Sequence, residues 1–537
     1  MTTTKHILDP AILPALRPAL PALTLAALGH TLAGAAALAA TWGVIKMIGS
    51  PDPTLLAWAC AALVLGGFLS SAASWLAHDA EARVERRLRR DVAGHVLRLP
   101  ASRATAWPSD RLRRLVSDDI AALHHTIAHL PGEIATLAVI PLCSVALLLA
   151  LAGPLALTAL IPGVLAALVY LLVLPRLSAA HGAERGLVMG EITTAVDDYA
   201  RGIHVFRSFG AAEGALADYT DATGRFTSGM VAWVRRVATP AAIAVALLQA
   251  VASLAIAYAV GSAADPATLA ATLLLSLAIV TPALRLGHGL DYVTAGRAAA
   301  TRIGALLEEP TLPSGDARVS DQPLSVDVRE LDLEFGGRRI VDGLSWSARP
   351  RTLTAITGPS GAGKSSLFRV IAGAEPVRSG SVTIGGVPIA ELSEDGRTAA
   401  VLFVPQAPAP LPGTVADNLR LVNPDADDAR CQRALDRAHL ETSLHADATR
   451  LSGGERQRLA LARAFLSPAR VILADEPTSG LDTAIAGAVF DEFARLAHEE
   501  GRTVIIVTHD TGLANRADQR LHLEAARVAT HDQEGVR

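Results

Sequence analysis

Between residues 134 and 174 the chain runs for 41 residues without one charged side chain. As a single helix at 1.5 Å per residue this stretch would be about 61 Å long, twice the roughly 30 Å hydrocarbon core of a bilayer. It must therefore fold back on itself, and Gly153-Pro154 is where a helix can stop and turn. Four spans' worth of similar sequence surrounds it, so the expected membrane helices are 23–45, 55–77, 134–153, 154–174, 238–262 and 267–290. The first run, preceded by Lys5, has some features of a secretory signal. The further spans behind it favour a retained membrane helix.

The connections are asymmetric. Residues 49–54, the turn at 153–154 and residues 263–266 are short and hold no Lys or Arg. Residues 78–133 and 175–237 are long, and the first holds Arg83, Arg86, Arg87, Arg89, Arg90, Arg98, Arg111, Arg113 and Arg114. The positive-inside rule places these loops and the N-terminus in the cytoplasm, where they are expected to extend the spans as helices. Polar side chains within the spans are few: His30, Gln249, Arg285, His288 and Asp291. Each is a candidate for cargo contact, set against an interhelical hydrogen bond or a snorkelling helix end.

Composition agrees with a chain in two solvents. It is 51% hydrophobic and 19% charged, with a mean hydropathy of +0.35, which argues against a wholly soluble enzyme. A formal net charge of −4, from 48 basic and 52 acidic residues, argues against a nucleic-acid binder. Cys60, Cys143 and Cys431 have neither metal-ligand nor disulfide spacing. Lysine occurs only at Lys5, Lys46 and Lys364, so the last draws attention to its surroundings.

From about residue 324 the apolar runs shorten to strand length, at 325–331, 352–357, 401–404, 471–475 and 503–507. Helix-length stretches separate them, which predicts an α/β layer of parallel strands. The second run leads into Gly358-Pro359-Ser360-Gly361-Ala362-Gly363-Lys364-Ser365-Ser366, a match to G-x-x-x-x-G-K-[ST] between strand and helix. Such a loop turns its backbone N–H groups onto phosphates, with Lys364 on the β/γ oxygens and Ser365 on Mg²⁺. The strand 471–475 ends in Asp475-Glu476, as a metal-holding acid followed by a general base would. Ser452-Gly453-Gly454, opening a helix, forms a second anion site suited to a nucleotide on another copy.

These motifs, with Gln406 in Phe-Val-Pro-Gln, Asp482 in Ser-Gly-Leu-Asp and His509 in Val-Thr-His-Asp, resemble in order the loops of an ATP-binding-cassette (ABC) ATPase. With six preceding spans the whole resembles a half-transporter of exporter-type fold: a six-helix, all-α transmembrane domain with long cytoplasmic helical extensions, then an α/β P-loop ATPase domain. The expected division is a cytoplasmic N-terminus at 1–22, the transmembrane domain at 23–300, a linker at 301–323 and the ATPase domain at 324–537. The resemblance implies ATP and Mg²⁺ as cofactors and adenine stacking on Phe335, where the family more often has Tyr. It implies Ser365, Gln406 and Asp475 at the metal, Glu476 as base and His509 at the γ-phosphate. It also implies Asp482 communicating across a dimer, and Ser452, Gly453 and Gly454 closing over the partner's ATP. Residues 101–108 and 209–213 would be the short helices that dock on ATPase domains.

One departure stands out. Such cassettes usually carry an acidic Thr-Glu-x-Gly-Glu stretch before the signature, whereas this chain runs Ser-Leu-His-Ala-Asp-Ala-Thr-Arg at 443–450. The usual acidic cross-contact with the partner's docking helices is thereby put in question. For cargo, the stretches 119–131 and 301–313 look similar to half-transporters that handle siderophores. Export of thiols, lipids or drugs is the second reading, and the echo of cytochrome-assembly thiol exporters in 476–482 supports it. A third, of another class, is a membrane protein that ATP regulates without driving transport. The expected partner is a second half-transporter, identical or related, in a bacterial inner membrane with the ATPase domain cytoplasmic. With only about 22 residues before the first span, no N-terminal peptidase or reductase domain is expected.

Overall fold

The computed structural model describes residues 10–107, 109–209, 212–335, 338–406 and 409–524. They form two compact units: Met1–Ala93 with Ser109–Glu308, and Gly94–Pro108 with Glu309–Arg537.

Among its described residues, the regular elements of the first unit are all helices. Its described helices include Leu20–Gly49, Pro53–Leu97, Leu130–Ala152, Ile161–Leu168, Leu174–Phe209, Ala212–Leu248, Ala250–Gly261 and Pro266–Leu307. Among the described residues, four helical stretches are long and apolar enough to cross a membrane: Pro10–Gly49, Pro53–Leu97, Arg111–Ala152 and Ala217–Gly261. The fourth expected span begins as the helical stretch Pro154–Leu168 and runs on into later helix, and the sixth lies within the continuous helix Pro266–Leu307. The chain reverses at Gly153, whose φ of +76° suits glycine. The span after it starts as a tight 3₁₀ coil at Pro154–Leu160, and Val169–Val173 loosens into a π turn. Phe68 and Trp75 are 70% and 71% exposed and Leu142 is 70% exposed, as lipid-facing side chains would be.

The cytoplasmic extension of the second span is visible as helix continuing from the apolar part through to Leu97. Pairs one turn apart brace it, Asp79 with Arg83 at 2.7 Å and Glu85 with Arg89 at 2.5 Å. Gln249 interrupts the fifth span: its φ of −64° and ψ of 137° are extended, and it caps the helix Ala250–Gly261. The side chains of Arg285, His288 and Asp291 lie outside the described residues. His30 packs edge-on against Gly132, where an added methyl would come within 2.6 Å of its ring.

The second unit has two sheets. One is parallel, ordered β6-β7-β8-β3-β9, from Val401–Val404, Val471–Asp475, Thr503–Val507, Leu353–Thr357 and Gln519–His522. The other is antiparallel, ordered β2-β1-β4-β5, from Arg338–Ala348, Val326–Phe335, Ser379–Ile384 and Val387–Pro388. The run expected at 325–331 as a parallel strand is therefore an antiparallel one. It alternates, burying Val326 and Val328, whereas β7 and β8 are buried at every position and read as continuous apolar runs.

The segment Gly94–Pro108 belongs to this unit although the helix entering it comes from the first. Its short helix Ala101–Thr105 is anchored by Glu375, which accepts from Ser102 N at 2.5 Å and Ser102 Oγ at 2.9 Å. Ala101 N donates to Ala374 O at 2.9 Å, and Arg98 pairs with Glu394 at 3.0 Å. Where a docking helix is expected at 101–108, the structure has the helix Ala101–Thr105 hydrogen-bonded to Ala374 and Glu375, and residue 108 lies outside the described residues. The second, expected at 209–213, includes positions outside the described residues.

Candidate functional site

Parallel strands β7, β8 and β3 lie side by side, so whatever follows their C-terminal ends gathers along one edge of the sheet. That edge is where open α/β sheets collect their functional loops. The phosphate loop follows β3, Asp475-Glu476 closes β7, and Thr508-His509 follows β8.

The loop is shaped by glycine. Gly358 has φ +146° and a methyl there would sit 2.3 Å from Leu523 O; Gly363, at φ +91°, would collide with Val341 at 2.9 Å. Lys364 begins the helix Lys364–Ile371 and is only 6% exposed. Its ammonium donates to Gly358 O at 2.8 Å and Pro359 O at 2.9 Å, curling over the loop.

Asp475 is buried, and burial pushes its carboxyl above the usual carboxylate range, against the Ser365 hydroxyl and Lys364 ammonium that hold it down. The sign follows. Relative to the unfolded chain, the fold favours the protonated acid, so this group's contribution to stability is present at low pH and falls as pH rises through the raised value. A divalent cation beside the carboxylate reverses that preference.

Glu476 has φ +48°, a left-handed conformation that costs a side-chain-bearing residue about 1 kcal/mol or more and that clusters at functional sites. The bend aims its carboxylate at two partners. His509 Nε2 lies 2.7 Å from Oε1, and Gln406 Nε2 donates to Oε2 at 2.6 Å. Glu476, Thr478, Ser479, Thr508, His509 and Asp510 share the walls of one pocket. Lys364, Ser365, Asp475, Glu476, His509 and Gln406 are thus linked contact by contact.

The signature residues lie on another helix start. Ser452 caps Gly453–Leu466 in a reciprocal box, accepting from Glu455 N while the Glu455 carboxylate takes the Ser452 N–H at 2.8 Å. The same helix reaches the catalytic edge through Gln457, which sequence reasoning missed; its amide donates to Pro477 O at 3.1 Å. Asp482 caps Thr483–His498 by accepting from Ala484 N and Ile485 N. In the departing 443–450 stretch, Asp447 is engaged at home, taking the Thr449 N–H at 2.9 Å. Phe335 ends β1, and its side chain lies outside the described residues.

A second donor set lies in the helical unit. One nitrogen each from His78, His124 and His129 lie within 4.8 Å of one another. His78 Nδ1 meets Ser74 O at 2.7 Å and so carries its proton there, leaving Nε2 as the ligand atom. Glu81 stands 3.4 Å from His124 Nδ1. In an α-helix His124 and His129 would diverge, but a π turn at His125–His129 returns positions five apart to one face. Three imidazoles could hold Zn²⁺ or a similar borderline cation. Zn²⁺ at a hundredfold excess over its Kd should stabilise the protein by about 2.7 kcal/mol. His129→Ala should abolish that thermal shift, and an undiminished shift would dismiss the site.

A membrane-spanning helical unit in one chain with a phosphate-loop α/β unit defines a nucleotide-dependent membrane protein. Two family profiles match, ABC transporter transmembrane region over 24–280 and ABC transporter over 341–479. The chain belongs to the ABC transporter family and carries both its transmembrane region and its ATP-binding domain. It is 40% identical over 245 residues to the mycobactin import ATP-binding/permease protein IrtB of Mycolicibacterium thermoresistibile, covering 43% of this chain and 42% of that one. It is 29% identical over 505 residues to IrtA of Mycolicibacterium smegmatis, which carries the same description, covering 89% of this chain and 58% of that one. The chain thus spans about half the length of the curated relatives it matches. In fold it is similar to a bacterial Atm1-family ABC exporter with ATP bound, with a TM-score of 0.74, 19% identity and 95% of both chains covered.

Proposed function

We propose that this chain is one half of an ATP-hydrolysing transporter that moves an iron-loaded siderophore across a bacterial inner membrane. The observation that carries the ATPase reading is Glu476, bent by its backbone toward the pocket and held between His509 and Gln406. A nucleotide sensor has no need of a positioned base. In this reading the loop 358–366 cradles the phosphates, with Lys364 on the β and γ oxygens. Ser365, Asp475 and Gln406 would hold Mg²⁺, which when bound would supply charge neutralisation at the phosphates. Glu476 takes a proton from the attacking water, His509 orients the γ-phosphate, and Phe335 stacks on adenine. Gln406, which here donates to Glu476 at 2.6 Å, is the side chain that would reach such a metal from the Glu476 side.

One chain supplies one phosphate loop and one signature, and an ATP held by Lys364 lacks the second anion site. Ser452, Gly453, Gly454 and Asp482 therefore act on ATP bound by a partner half-transporter, a second copy or a related chain. The cargo reading is supported by the two relatives described as mycobactin import proteins. Cells lacking this chain should lose uptake of radiolabelled ferric mycobactin, and complementation should restore it. Unchanged uptake with loss of export of a thiol, lipid or drug would favour the exporter reading instead.

A further inference from the structure

The stretches 119–131 and 301–313, which stand out in the sequence, meet in the structure. Asp119 is 3% exposed and accepts three hydrogen bonds from Arg302: Nε at 3.1 and 3.0 Å to its two oxygens, and Nη2 at 2.5 Å. Just above, the sixth-span helix touches the other stretch without a gap. A methyl at Gly296 would lie 2.3 Å from Thr126 Oγ1 and 3.1 Å from Ala122 O. Ala299, Ala300, Ile303 and Leu306 on that helix are fully buried. The contact is a close-packed seam ending in one two-pronged ion pair between the buried Asp119 and the half-exposed Arg302.

Its place along the chain gives it a function. Asp119 lies shortly after the chain leaves the ATPase unit at Pro108, downstream of the docking helix, and Arg302 lies within two helical turns of its return at Glu309. The pair thus joins two of the covalent routes between the units, 183 residues apart in sequence. As a stability device it is poor, because burying the carboxylate offsets much of the attraction. As a registration device it is strong, because a guanidinium fork fixes both distance and angle to a carboxylate.

We propose that Asp119–Arg302 is a coupling clasp that makes the segment arriving from the docking helix and the root of the returning chain move as one piece. Asp119 and Arg302 are positioning residues in this proposal, which rests on the ATP-driven reading above. Nucleotide binding should then be felt together by the helices Leu130–Ala152 and Pro266–Leu307.

The test uses the intact transporter in lipid nanodiscs, with hydrogen exchange measured empty and with a non-hydrolysable ATP analogue, beside ATPase rates. Wild type should show concerted exchange changes in both helices. Arg302→Ala should hydrolyse ATP at close to the wild-type rate yet lose the response of Pro266–Leu307, and the exchanged pair Asp119→Arg with Arg302→Asp should restore it. Arg302→Lys, which keeps the charge but not the fork, should restore it only in part and covers the case in which Arg302→Ala folds poorly. A concerted response in both Arg302→Ala and Arg302→Lys would overturn the clasp. So would a loss of response and ATPase together that the exchanged pair does not rescue. A wild type that responds to the analogue but does not hydrolyse ATP would sink the transporter reading and leave the clasp standing.

Discussion

Glu476→Gln will bind MgATP as tightly as the wild type and hydrolyse it at least 10²-fold more slowly, the loss expected when a positioned general base is removed. The amide keeps the size of the carboxylate and can still bond Gln406 or His509, which stand 2.6 and 2.7 Å from the wild-type oxygens. What it cannot do is accept the proton of water. Affinity measured by nucleotide fluorescence and turnover measured by phosphate release separate the two effects. Turnover within a few-fold of wild type would remove Glu476 from the mechanism. It would also revive the alternative in which ATP regulates the protein without being consumed.

Lys364→Ala will act one step earlier, on binding. Lys364 is the sole lysine beyond Lys46, and its ammonium already rests on the carbonyls of Gly358 and Pro359. In the proposed reading it would exchange those neutral acceptors for phosphate oxygens when nucleotide binds. A charge-assisted hydrogen bond is worth about 1.5–3 kcal/mol, so losing it should weaken ATP binding roughly 10- to 100-fold. Lys364→Arg should not rescue, because the loop closes tightly around a 6% exposed side chain and a guanidinium is a broader, planar group. Affinity within a factor of two of wild type in Lys364→Ala would contradict the assignment of the phosphate cradle.

Much of this was legible in the sequence because the signals are local. The phosphate loop needs a strand, glycines at positive φ and a helix start, all within one short stretch. The Asp475-Glu476 strand end was likewise readable by position, whereas a docking helix at 101–108 was implied only by the family resemblance. Gly153-Pro154 turned the chain where a 41-residue run had to bend. The antiparallel sheet was not expected, since its strands alternate and are broken by register shifts, which blurs the period on which strand recognition depends.

Contacts between distant stretches lay further out of reach. The grouping of His124 with His129 depends on a π turn that no α-helical period would suggest. Asp119 with Arg302, and Ser102 with Glu375, are pairings across 183 and 273 residues. Only the separate stretches drew notice beforehand, through resemblance and not through any visible reason for them to meet. The irregular fourth span and the break at Gln249 had no local warning beyond the prolines near the first.

The central claim is that ATP hydrolysis at this edge of the sheet drives a siderophore across the membrane. Its most direct test is flux in proteoliposomes holding this chain and its partner half, loaded on one side with radiolabelled ferric mycobactin. MgATP supplied to the ATPase face should move the label in one direction, and Glu476→Gln in the same vesicles should abolish the movement. Steady ATP hydrolysis with no ATP-dependent movement of ferric mycobactin in either direction would contradict the account.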